Sequence, residues 1–241
     1  RMNFDISTHE NIPWQGSNKK FMSTLFDVVL HPIEQQGVDF DWQQWVFDKD
    51  IEKLNNTWWL NYTFFEDMKR NTDKRPLIYH RWGGLGNHRY QIGFSGDAYI
   101  TWNTLEYQPY FTNTASNVLY GYWSHDIGGH KFIEDDNIYQ FDPEMYVRWV
   151  QYGALSPILR THSNKDPSLV KEIWRYRDEY FDALYNAVRL RYQLVPYIYT
   201  MARETYETGV SLCRPMYYDY PEDERAYTYS RQYMFLSLIH I

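Results

Sequence analysis

Cysteine is almost missing from this chain. Cys213 stands alone among 241 residues, so no internal disulfide braces the fold, and the thiol count reports neither an oxidising nor a reducing compartment. Lys and Arg form no run and the net charge is −7, which makes nucleic acid and anionic membrane surfaces unattractive partners and favours a neutral or cationic ligand. No stretch approaches the roughly 20 apolar residues of a membrane span. The opening residues, Arg1-Met2-Asn3-Phe4-Asp5, lack the basic-then-apolar pattern of a secretory signal. A periplasmic or secreted location would follow only from a signal outside this chain, and the compartment stays open. Neither an internal repeat nor a low-complexity linker divides the sequence.

Aromatics, by contrast, are abundant: 20% of the chain, with 24 Tyr and 10 Trp. Flat apolar faces with polar edges suit sugar-binding surfaces as well as large cores. At 44% hydrophobic and 23% charged, the composition is that of a globular chain able to bury a core.

Apolar spacing predicts helices over 18–36, from Trp58 to Arg70 with Asn56 or Thr57 as N-cap, from Tyr107 to Val118, over 143–155 and over 170–205. Short strand candidates lie between them: Gly37–Phe40, Arg75–Tyr79, Tyr90–Phe94, Leu119–Trp123 and finally Cys213–Tyr217. This alternation argues for an α/β fold with a parallel sheet. Polar clusters follow each strand: Asp41 after the first, His80-Arg81 after the second, Asp97 after the third, His125-Asp126 after the fourth. Chemistry gathered at many successive strand ends is the mark of a (β/α)8 barrel, because an open sheet converges its ends at one switch point.

Asp41, set among Phe40, Trp42 and Trp45, is a carboxylate in aromatic surroundings, suited to a nucleophile or a general acid and equally to a satisfied structural role. The stretch Tyr79 to Asp97 is richer, with glycines for tight backbone and Arg81, Arg89 and Asp97 as charges; it lacks the Gly-Lys-Ser/Thr ending of a phosphate loop. The clusters Ser124 to His130 and Leu159 to His162, with His80 and His88, have the residue types of a zinc or iron site, but no pair has the spacing of two ligands on one helix.

Arg81, Phe94-Ser95-Gly96-Asp97, His125-Asp126-Ile127-Gly128-Gly129 and Leu159-Arg160-Thr161-His162, in that order, resemble glycoside hydrolase family 31, the α-glucosidase and α-xylosidase family. The resemblance runs from about residue 15 to 235. It implies a partial (β/α)8 TIM barrel over 1–235, about strands 3 to 8, acting on an oligosaccharide or α-glycoside by retaining hydrolysis with neither metal nor organic cofactor. Asp41 matches the nucleophile and Asp97 the acid/base; Arg81, Asp126 and His162 match positions that bind sugar hydroxyls in the cleavage subsite, and Phe94 would wall it. Asp41 attacks the anomeric carbon as a carboxylate, helped by a cation such as Arg81, while Asp97 protonates the leaving oxygen and later deprotonates water.

Two departures accompany the match. Relatives carry about three more residues between a Gly-Val-Asp-Phe start and the Asp-Trp-Gln end; at about 3.3 Å per residue their loss removes about 10 Å and reverses side-chain parity, which makes Asp39 a secondary candidate. Leu236 to Ile241 depart from the family's Gly-Asp-rich turn and read as a non-native tail, the translation of a transposon end used in DNA library preparation. The chain therefore reads as a barrel fragment that, expressed alone, is expected to have little activity. The rival readings are a metal-dependent hydrolase and a non-catalytic carbohydrate-binding domain.

Overall fold

The computed structural model describes residues 12–43, 56–71, 73–81, 85–133, 141–235 and 238–240. Trp45, Trp82, Gly83 and Gly84 of the clusters above, and Leu236, Ser237 and Ile241 of the tail, lie outside the described residues. The chain forms two units, Arg1–Tyr90 and Gln91–Ile241.

In the first unit, helix α1 (Lys19–Leu25) is started by Asn18, whose side chain accepts from the Lys20 and Phe21 amides. It widens into a π turn at Phe26–Leu30 and continues as α2 (His31–Glu34). Pro32, with no amide hydrogen, sits in the first turn of α2, directly after this irregularity. Gly37, at φ 113°, ends the helix with its amide on the Glu34 carbonyl. The strand expected at Gly37–Phe40 is not there; β1 is Asp41–Gln43. Helix α3 (Asn56–Asn71) follows, then β2 (Ile78–His80), which begins later than the Arg75 expected from sequence.

Strands β1 and β2 pair in parallel, Asp41 opposite Ile78, Trp42 opposite Tyr79 and Gln43 opposite His80. Ile78 is fully buried in a core built from Met22 and Phe26 of the first helical stretch and Leu60, Phe64 and Met68 of α3. Its partner Asp41 therefore turns to the same helix-covered face, while Trp42 and Tyr79 meet edge to face on the other, ring centroids 5.9 Å apart.

In the second unit, β3 (Gln91–Phe94) leads to α4 (Trp102–Ala115), capped by Thr101, and β4 (Tyr122–Ser124) leads to α5 (Pro143–Ala154), capped by Asp142 with Pro143 in its first turn. Strands β3 and β4 are parallel, Ile92 opposite Tyr122 and Phe94 opposite Ser124. Parallel strands separated by helices are the unit of an α/β barrel, as the alternation predicts. The core centres on Trp149 and Tyr146 of α5, with Ile127 and Leu184. The helix expected over 170–205 is two, α6 (Asp178–Gln193) and α7 (Val195–Thr208), because Pro196 cannot donate to the ladder.

The last strand region differs from a barrel strand: β5 (Cys213–Arg214) pairs antiparallel with β6 (Tyr233–Phe235), which follows α8 (Arg225–Thr228). Strand β6 pairs in turn with β7 (Leu238–His240), which falls in the expected tail.

Candidate active site

Past the ends of β3 and β4 the second unit brings together the residues that the motifs separate. The Ser95 amide donates to the Ser124 carbonyl at 3.1 Å, carrying the parallel pairing one step beyond β3. Gly96, at φ 85°, then turns the chain into Asp97. On the neighbouring connection, Ile127 bridges in parallel to Thr161, which draws Asp126 beside Arg160 and His162. Gly129 is held against Ile100: a Cβ there would fall 2.9 Å from the Ile100 Cα, and φ is 77°, so both space and conformation require glycine.

Asp126 has no exposed surface. Arg160 Nη2 donates to its Oδ1, and His130 Nδ1 meets its Oδ2 at 3.0 Å. Burial pushes the Asp126 carboxyl up, while Arg160, His130 and Lys171 oppose that shift. The other ring nitrogen of His130 lies 3.8 Å from Asp97 Oδ1. His162 packs against His130, ring centroids 5.3 Å apart, and burial, with Arg160 beside it, lowers its pKa to about 4, leaving a neutral ring at physiological pH. The Lys171 ammonium donates to the carbonyls of Ile127, at 2.8 Å, Gly129 and His162, tying both connections together.

Phe94, expected to wall a subsite, is only 1% exposed and lies under the Arg160 guanidinium, 5.0 Å from ring centroid to Cζ. It supports a cation instead of standing open. His125 is sealed as well: its nitrogens meet Ser95 Oγ at 2.8 Å and Thr112 Oγ1 at 2.7 Å, and burial lowers its pKa to about 3. It is a core histidine.

Asp126, His130 and His162 each direct a ligand-type atom to within 4.8 Å of the others, the donor types of a zinc site. Arg160 already engages Asp126, however, while burial lowers the Lys171 pKa to about 7, so Arg160 is the cation that compensates the carboxylate.

The first unit holds Asp41 and Arg81. Arg81 follows β2, its amide donating to the Gln43 carbonyl at 3.3 Å, so Gln43 lies at the C-terminal end of β1 and Asp41 two positions before it. Asp41 is thus the first residue of its strand and not its end, which corrects the sequence-based placement. Among the described residues, burial, then Glu34, then Asp67 raise its pKa from 3.8 to about 6. An ionised nucleophile needs the opposite environment. Asp39, the secondary candidate, is exposed and paired with Lys74. His80 is fully buried at the end of β2, its pKa lowered by burial to about 4.

Asp97, Asp126 and His162 are therefore assembled as the motifs imply, with His130, Arg160 and Lys171 completing the group. His130 and Arg160 stand inside the quoted clusters and were the findable ones; Lys171 belongs to no motif, and only the fold brings it in.

Residues 5–201 match the model of the glycosyl hydrolases family 31 TIM-barrel domain. The chain is 36% identical over 173 residues to an α-xylosidase of Saccharolobus solfataricus, covering 71% of this chain and 23% of that protein. It is 32% identical to α-glucosidase 2 of Bacillus thermoamyloliquefaciens, covering 68% and 20%. Among solved structures it is similar to a family 31 α-xylosidase from Xanthomonas citri, with a TM-score of 0.78 and 22% identity over 96% of this chain and 29% of that one. A cycloalternan-forming enzyme from Listeria monocytogenes matches with a TM-score of 0.76 and 25% identity, over 91% and 22%. The chain thus spans about a fifth to a quarter of the length of these curated relatives.

Proposed function

This chain belongs to glycoside hydrolase family 31, and on that premise we propose that it carries the sugar-binding and proton-donating part of a retaining α-glycoside hydrolase of the α-glucosidase or α-xylosidase type. The observation that carries the reading is the grouping of Asp97, Asp126 and His162 around His130. Asp126, gripped by Arg160, accepts hydrogen bonds from sugar hydroxyls, and neutral His162 both donates and accepts. Asp97 gives its proton to the leaving oxygen and takes one from water in the second step. Asp41 is the nucleophile of this reaction only when its strand is in the register of its relatives. In the register found here it starts β1 and faces the helices among carboxylates, so the chain binds an α-glycoside but turns it over poorly.

The test compares aryl α-glucoside and α-xyloside hydrolysis by the chain, by a version with three residues restored before Asp41, and by that version carrying Asp97→Ala. Restoration should raise turnover by at least about a hundredfold, since positioning errors of about 1 Å cost that much. Asp97→Ala should remove about 10² to 10⁴ of the gain. Full activity in Asp97→Ala would overturn the assignment. A chelator that abolishes turnover would favour the metal-dependent alternative, and sugar binding without turnover in every version would favour a binding domain.

A further inference from the structure

His130 lies between two carboxylates with different tasks. Its Nδ1 is 3.0 Å from Asp126 Oδ2, a carboxylate with no exposed surface whose other oxygen is held by Arg160. That contact fixes one edge of the ring and places the proton on Nδ1, because a carboxylate only accepts. The His162 ring covers one side, 5.3 Å away, and the His130 backbone is pinned by its amide on the Ala98 carbonyl at 2.7 Å, so the ring has one orientation. In that orientation Nε2 faces Asp97 Oδ1 at 3.8 Å, within ion-pair range and one short movement from a hydrogen bond. Contacts of this kind are commonly long without substrate and tighten when it binds. The charged groups around the ring are Asp97, Asp126, Arg160 and Lys171.

We propose that His130 is the positioning residue of the acid/base: its Nδ1–H is anchored on Asp126, its Nε2 presents a second N–H to one oxygen of Asp97, and the other oxygen of Asp97 carries the proton that goes to the glycosidic oxygen. This deepens the reading above and rests on it. It also couples sugar binding to proton transfer, since the carboxylate that would grip the sugar also aims the ring that aims Asp97. His130 exchanges no proton in this scheme; Asp97 loses one to the leaving group and regains one from water.

Two substitutions separate the two contacts. His130→Asn keeps an N–H near the Nδ1 position and loses the arm to Asp97; His130→Gln reaches toward Asp97 and loses the Asp126 anchor. In the chain with three residues restored before Asp41, His130→Asn should lower turnover of a poorly activated aryl α-glucoside about tenfold more than that of a dinitrophenyl one, because only the former needs a well-aimed acid. His130→Gln should recover part of the difference. A residue needed only for folding would lower both substrates alike, and that result would overturn the proposal. Nitrogen-15 spectra of histidine in the unmodified chain decide the geometry at any level of turnover: the proposal requires a protonated His130 Nδ1 and an Nε2 resonance that moves in Asp97→Asn, and a bare Nδ1 or an unmoved Nε2 sinks it. If Asp97→Ala itself shows no dependence on the leaving group, the acid/base assignment fails instead, a result distinct from failure of the His130 variants alone.

Discussion

Asp126, buried, and Asp41, half-buried, are two aspartates whose carboxyls desolvation pushes up, and the neighbours that each unit supplies act on that shift in opposite directions. In Gln91–Ile241, Asp126 meets Arg160, His130 and Lys171, all of which favour its charged form. In Arg1–Tyr90, Asp41 meets Glu34 and Asp67, which add to its desolvation and raise its pKa to about 6. A carboxylate's chemistry is thus set by what the fold brings to it.

The sharpest way to break this contrast is to remove Asp126. Asp126→Ala leaves Arg160 and His130 without their carboxylate in a buried setting, and the expected loss is about 3–5 kcal/mol of stability together with sugar binding. Thermal or denaturant unfolding checks it, and a change below about 1 kcal/mol would show that the ion pairs are not what holds this region.

Asp41→Asn should act in the opposite direction. Because the folded pKa is raised above 3.8, the native state binds more protons than the unfolded one between about pH 4 and pH 6, so the wild-type chain loses stability as pH rises through that window. Above pH 6 the penalty is complete, and Asp41→Asn should stabilise by about 2 kcal/mol, less than the about 3 kcal/mol that a rise from 3.8 to about 6 is worth at about 1.4 kcal/mol per pKa unit, because solvent screens the half-buried side chain. Near pH 3 the two proteins should unfold alike. Destabilisation by Asp41→Asn at pH 7 would mean that the carboxylate has found a cation.

A smaller effect should come from the sealed histidine. Thr112→Val removes the partner of His125 Nε2 and should cost about 1–2 kcal/mol while leaving sugar binding intact, which separates core histidines from site histidines. Loss of binding in Thr112→Val with unchanged stability would move His125 into the site.

The presence of the helices was legible because amphipathic spacing is local, but their starts were not: Asn56 and Thr57, expected as caps, lie inside α3, and α4 begins at Trp102 instead of Tyr107, capped by Thr101. The grouping of Asp97 with Asp126 and His162 was legible through the motifs. What local pattern could not supply was pairing. The start of β1 depends on β2, since among the described residues Val38 and Phe40, with strand-forming side chains, pair with no strand and Asp41 is the first to find a partner, in Ile78. The antiparallel sheet of β5 to β7 depends equally on partners distant in sequence. Lys171 was invisible for the same reason: its acceptors are backbone carbonyls, which leave no trace in residue identity.

The central proposal, that Asp41 serves as nucleophile only in the register of its relatives while Asp97, Asp126 and His162 are already grouped, is tested most directly by trapping. The chain and its three-residue restoration are incubated with a fluorinated α-glucosyl fluoride that accumulates the glycosyl-enzyme, and peptides are read by mass spectrometry. The account predicts a covalent sugar on Asp41 in the restored version and none in the chain as it stands; labelling of Asp41 at a comparable rate in both would contradict it.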